Sequence, residues 1–195
     1  EGMVRQVALP HPSGIDVLPA PNSISEGQGI RSGDLFNVLK AIKEIYDVIV
    51  IDAGNYLDDN AVTMMDVATY ILVILTPEIA SMRDTRKYLD ITRSLGYPKS
   101  KLKLILNKSG RKAGGMHKDE IERVIKSPVI GQIALDTNII PSSMNEGAPI
   151  VTKKQRHEIT RAFNKLAKNL SELPKTSTQS DSDNSSALTQ SSQFG

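Results

Sequence analysis

Residues 47–54 read DVIVIDAG, a run of β-branched residues that ends on Asp52 with Gly54 two positions on. A carboxylate at the end of a buried strand can hold a water of a bound magnesium ion, and a glycine beside it can offer its backbone N–H to a terminal phosphate. In nucleotide-hydrolysing α/β proteins such a strand works with a glycine-rich loop whose N–H groups cradle the phosphates. That loop also brings a Lys for the outer phosphates and a Ser or Thr hydroxyl for the metal. Three stretches can be tested for it. EGQGIRSGDLF (26–36) precedes a helical pattern, but Asp34 follows Gly33 where Lys is required. SGRKAGGMHKDE (109–120) lies between a strand and a helix and offers Gly114, Gly115 and Lys118, yet Asp119 stands where the hydroxyl belongs and would repel phosphate. LPHPSG (9–14) has no Lys. No competent phosphate loop is present, so the bland readings stand beside the functional ones: Asp52 as a turn cap and Gly54 as a turn residue at positive φ.

The elements that must position these residues alternate along the chain. Short strands are expected at 14–19, 47–52, 69–75, 101–107 and 129–134, and helices at 34–45, 59–67, 81–95, 118–126, 138–146 and 153–170. Ser81 is the expected cap and Gly96 the expected stop of the 81–95 helix. Strands alternating with helices imply right-handed crossovers and an α/β fold, a mostly parallel sheet with helices on both faces. Ligands of such sheets bind beyond the carboxyl ends of the strands. The ends to inspect are Asp52-Ala53-Gly54, Thr76-Pro77-Glu78, Asn107-Lys108 and Ala134-Leu135-Asp136.

Composition narrows the class. The chain has 195 residues, is 39% hydrophobic and 4% aromatic, and has no cysteine or tryptophan. Disulfides and thiolate metal sites are excluded and the core must be aliphatic. The net charge of +2 is too mild to argue for nucleic acid. No apolar run is long enough to span a bilayer. Residues 1–173 read as the ordered body. Residues 174–195 are Ser, Thr, Gln and Asn-rich with little to bury, which predicts a disordered polar tail.

YDVIVIDAG, ATYILVILTPEIASMRDTRKYLDITRSLGY, LKLILNKSGRKAGGMHKDEIERVI and IALDTNIIPSSMNEGAPIV follow one another in an order and spacing that resembles the MinD/ParA-type ATPases, which are P-loop NTPases. Within that group TPEIASMRDTRKYLD, the Gly114-Gly115 loop and NEGAPIV are most similar to the CpaE/TadZ branch, associated with pilus assembly. The resemblance covers about residues 14–170. It implies an ATP- and magnesium-dependent switch that dimerises through ATP and localises or regulates a pilus or secretion machine. The place implied is the cytoplasm, peripherally at the inner membrane or a cell pole. The family's phosphate loop and signature lysine lie on a first, central strand that precedes the region equivalent to 14–19. The resemblance therefore implies an N-terminally truncated sequence, inactive as it stands, with a gap beside the strand ending at Asp52 and an unstable isolated chain.

Residue by residue, the resemblance makes Asp52 the switch II aspartate that holds a magnesium-bound water, and Gly54 a donor to the terminal phosphate. Glu78 reaches the nucleotide of the partner subunit; its bland role is a carboxylate at a helix N-terminus. Arg83 and Asp84 lie at the dimer interface, where Asp84 pairs with a signature lysine this chain lacks; blandly, Asp84 is a solvated first-turn carboxylate. Asn107 contacts the adenine, against the alternative of an Asx turn. Leu135 and Asp136 form a second base-contacting segment, in which Leu135 replaces the usual proline. Helix 153–170 sets Ile159, Phe163, Leu166 and Leu170 on one face, with Lys153, Lys154, Arg156, Arg161, Lys165 and Lys168 around the rest. Packing of that stripe on its own domain is favoured over membrane or DNA contact. Two other functions remain open: a scaffold of the same fold without ATP chemistry, and a receiver domain phosphorylated on Asp52 with Thr76 and Lys108 beside it. The second lacks an acidic pair before Asp52.

Overall fold

The computed structural model describes residues 2–21, 27, 29–54, 56–110 and 115–174. The expected polar tail lies outside them except for Pro174. Helix α1 (Gly2–Val7) leads into a small antiparallel pair, β1 (Leu9–Pro10) with β2 (Asp16–Val17). The strand expected at 14–19 is thus cut to two paired residues. Gly14, at φ +89°, makes the turn between them. Helices α2 (Ser32–Lys43) and α3 (Asp59–Val67) follow and pack on each other. Asp58 caps α3 by accepting from the Ala61 N–H at 2.8 Å.

The remainder is regular α/β. Strands β3 (Ile71–Leu75), β4 (Leu102–Ser109) and β5 (Val129–Ala134) form a three-stranded parallel sheet in that order. Helix α4 (Ile79–Ser94) joins β3 to β4, and α5 (Lys118–Ile125) joins β4 to β5. Helices α6 (Ile139–Asn145), α7 (Ile150–Lys153) and α8 (Glu158–Ser171) complete the chain. Gly96 sits at φ +88°, and the N–H groups of Gly96 and Tyr97 bond back to the carbonyls of Arg93 and Thr92. This Schellman motif ends α4 where the glycine predicts.

Helices lie on both faces of the sheet because a bulge re-aims β5. Leu104 pairs with Val129 but Ile105 with Gly131, so one extra residue flips the side-chain parity of β5. Val129, before the shift, packs with Leu75, Leu104, Leu106, Met82 of α4 and Ile121 and Ile125 of α5. After it, Gly131 receives Leu166 of α8, whose Cδ1 would lie 2.6 Å from any β-carbon there. Ile133 joins Ile150 and the fully buried Ile159 in a second cluster. Ile159 and Leu166 of the α8 stripe are therefore packed on their own domain, as its spacing favours, while Phe163 stays exposed.

Three expectations are corrected. Residues 47–52 are not a strand. They keep a two-residue alternation, with Ile49 and Ile51 half-buried and Val48 and Val50 exposed, but no described residue pairs with their backbone. A strand exists only through its partner, and the propensity of DVIVID supplies none. The 81–95 helix starts earlier, at Ile79; the Ser81 hydroxyl accepts instead from the Thr76 N–H at 2.9 Å. The helix expected at 153–170 is broken. α7 ends at Lys153, a turn follows, and α8 starts afresh at Glu158 with the His157 ring nitrogen accepting from the Ile159 N–H.

Candidate functional site

Parallel pairing brings three of the four inspected strand ends to one edge of the sheet. Leu75 stands beside Leu106, and Ser109 beside Ala134. The ends are cross-linked. The Leu135 N–H donates to the Ser109 carbonyl at 2.8 Å, and the buried Ser109 hydroxyl donates to the Ile133 carbonyl at 3.0 Å. The Met116 N–H donates to the Pro77 carbonyl at 3.0 Å.

Asn107 lies half-buried near the end of β4, in a second irregularity of the β4–β5 register. Its side-chain oxygen accepts from the N–H of the next residue, Lys108, at 2.9 Å, one residue short of the Asx turn foreseen as the bland alternative. Among the described residues nothing accepts from its NH₂ group, which leaves two donors for a ligand edge. Lys108 takes φ +52°, a conformation unusual for a side-chain-bearing residue.

Asp136 is committed to structure on one oxygen. Its Oδ1 accepts from the N–H groups of Asn138 and Ile139, at 2.9 and 2.7 Å, and holds the start of α6. Its Oδ2 lies 3.9 Å from Nε2 of His157. With the Leu135 N–H also bonded, this segment offers a base its carbonyl groups and shape more than a free carboxylate. Glu78 is exposed at the N-cap of α4, makes no side-chain cap bond, and accepts from the Thr76 hydroxyl at 3.2 Å. Arg83 and Asp84 pair with each other at 3.6 Å, with side chains 68% and 66% exposed. An ion pair so solvated contributes little to stability.

Asp52 is exposed and accepts from the Gly54 N–H at a long 3.4 Å, while Gly54 takes φ +69°. Both bland roles are visible here, and the segment lacks a sheet neighbour that would fix it beside the other three ends. Among the described residues no three His, Cys, Asp or Glu come together to hold a metal. Asp52 alone suits an outer contact through water to a magnesium held mainly by phosphates, which is how that ion is commonly bound. The supposed phosphate-loop glycine has another job. Gly115, at φ +83°, lies where a β-carbon would stand 2.1 Å from the Pro77 carbonyl oxygen. Sequence reasoning set Gly115 aside as a phosphate donor and left it in an ordinary surface loop. It also missed Ser109, whose partner Ile133 is distant in the chain, and the capping role of His157.

Against known proteins, no family model matches the chain. An uncharacterised ATP-binding protein of Methanocaldococcus jannaschii is 27% identical over 177 residues, covering 89% of this chain and 65% of that protein. A ParA family ATPase of Chlorobium tepidum superposes with a TM-score of 0.78 at 19% identity, over 87% of this chain and 69% of that one. The cell division ATPase MinD of Pyrococcus furiosus gives 0.75 at 25% identity, over 88% and 71%. MinD of Pyrococcus horikoshii, solved with Mg-ADP, gives 0.73 at 24%, over 86% and 68%. The fold is the α/β fold of the MinD and ParA ATPases. The chain spans about 65% of the length of the curated relative.

Proposed function

We propose that this chain carries the switch II, base-contacting and partner-facing parts of an ATP- and magnesium-dependent dimerising switch of the MinD/ParA type, whose phosphate loop comes from a strand these residues do not contain. In this reading Asp52 holds a magnesium-bound water and Gly54 faces the terminal phosphate. Asn107 donates to the adenine, the 135–136 segment lines it, and Glu78 with Arg83 and Asp84 faces a second subunit. ATP supplies the bond that is broken; the chain's residues supply positioning and charge. An ATP-binding relative and a Mg-ADP-bound fold neighbour support the cofactors.

The observation that carries the reading is the unfilled place in the sheet. Val48 and Val50 are 79% and 86% exposed, and Ile74 of β3 is 56% exposed. β3 has one neighbour, and residues 47–52 have none, among the described residues. Apolar residues patterned for a sheet interior, left bare on both elements, call for a further strand. The CpaE/TadZ-like motifs add a finer role: regulating a pilus or secretion machine from the cytoplasm, at the inner membrane or a cell pole. Among the described residues no helix is long and apolar enough to cross a membrane.

The test is Mg-ATP binding and turnover by the protein expressed from its complete reading frame. Tight binding is expected. Asn107→Ala should weaken it about tenfold, and Asp52→Ala should keep binding while lowering turnover by at least a hundredfold. No nucleotide binding by that protein would leave the scaffold reading, which the lack of a competent phosphate loop in this sequence favours.

A further inference from the structure

We infer that Gly115 is a positioning residue: through Pro77 it ties the loop that follows Asn107 to the turn that carries Glu78. The functional consequence rests on the proposed ATP-dependent switch; the contact itself does not.

The turn Thr76-Pro77-Glu78 is held three times. The Ser81 hydroxyl accepts from the Thr76 N–H, and the Thr76 hydroxyl donates to the Glu78 carboxylate. Both bonds lie within the turn and its own helix. The third comes from elsewhere in the chain, where Met116 donates its N–H to the Pro77 carbonyl at 3.0 Å. That carbonyl belongs to a buried residue just ahead of α4, so it needs a partner from outside the helix. Met116 is anchored in turn, since its side chain packs on the core cluster that holds Leu75 and Met82.

The bond forms only because residue 115 is glycine, for two independent reasons. At φ +83° a side chain is strained. A β-carbon would also stand 2.1 Å from the Pro77 oxygen and 3.0 Å from its carbonyl carbon. The obstacle is backbone, not the tip of a flexible side chain, so relief requires the 76–78 turn or the loop to move. β4 ends at Ser109, two residues past Asn107, and Gly115 lies on the connection from β4 to α5, against the turn that carries Glu78. Among the described residues no other pair of candidate site elements is joined by a glycine contact this close.

The test uses the protein from its complete reading frame, with ADP affinity and ATP-dependent self-association measured separately. Gly115→Ala is expected to weaken self-association at least tenfold while ADP affinity stays within twofold. Glu78→Gln should do the same, and the double variant should be no worse than either single one, because both act through one group. In the wild-type protein, exchange of the Met116 amide should slow at least tenfold on ATP-driven association, with central β4 amides unchanged. Additive effects of the two substitutions, a parallel fall in ADP affinity, wild-type-like association of Gly115→Ala, or unchanged Met116 exchange would each overturn the inference. Absence of ADP binding by the wild type would instead overturn the switch reading, and is recognised before any variant is made.

Discussion

Residues 9–57 and residues 71–173 carry similar apolar content but treat it differently. In the second region every strand has a neighbour, and Leu75, Leu104, Leu106, Ile121 and Ile159 are at most 2% exposed. In the first, Val17, Phe36, Val38, Val48, Val50 and Tyr56 are exposed, and among the described residues only Leu39 and Ile42 of α2 are buried. The joint between them is made by α3. The Tyr97 hydroxyl donates to Asp66 at 2.5 Å, Lys101 donates to the Asp66 carbonyl at 3.2 Å and sits 5.3 Å over the Tyr97 ring, and Tyr88 donates to the Met65 sulfur. The difference teaches that apolar patterning alone does not make a core. A strand sequence becomes a strand when a neighbour pairs with its backbone; β3, β4 and β5 have one, and residues 47–52 have none among the described residues.

Three measurements can break or sharpen this contrast. The largest effect is in hydrogen exchange. Amides of 104–106 should exchange on the order of a thousandfold more slowly than those of 48–52, because the former open only with the sheet and the latter have no described acceptor. Equal protection would erase the distinction between the regions. Next comes truncation of side chains. Ile121→Ala should cost about 2–5 kcal/mol in denaturant unfolding, whereas Val50→Ala should stay within about 0.5 kcal/mol. A large loss at Val50 would show that its surroundings are already packed.

The smallest effect probes the joint. Tyr97→Phe removes the hydroxyl and should cost about 1 kcal/mol. Burial, and then the hydrogen bond to Asp66, push the Tyr97 hydroxyl well above the usual tyrosine range. A raised folded value means the contribution is complete below the ordinary value of about 10 and is lost as pH climbs past it. The stability gap between wild type and Tyr97→Phe should therefore narrow above about pH 10. Lys101, lowered by burial, is present in both proteins and cancels in that difference. A gap independent of pH would remove the hydroxyl from the joint.

Much of the chain from α3 onward was legible in advance. α3 and β5 fall on the expected residues, β3, β4, α5 and α6 within two, and the Gly96 stop holds, because each depends on local periodicity and a local cap. The site was legible only as strand ends. Parallel order predicts that Glu78, Asn107 and Asp136 share an edge, since a sheet has one carboxyl side. Sequence could not say that Asp136 holds the start of α6, or that the 153–170 pattern breaks at a capping His157. Those depend on which backbone groups lie nearby in space.

The sequence by itself determined the α/β order, the aliphatic core, the apolar stripe of α8 and the lack of a competent phosphate loop in these residues. These follow from residue types and spacings along the chain. The tertiary structure alone decided that DVIVID has no backbone partner among the described residues and that Gly115 clears the Pro77 carbonyl. Pairing and close approach are relations between distant segments, and no local pattern encodes the distance between them.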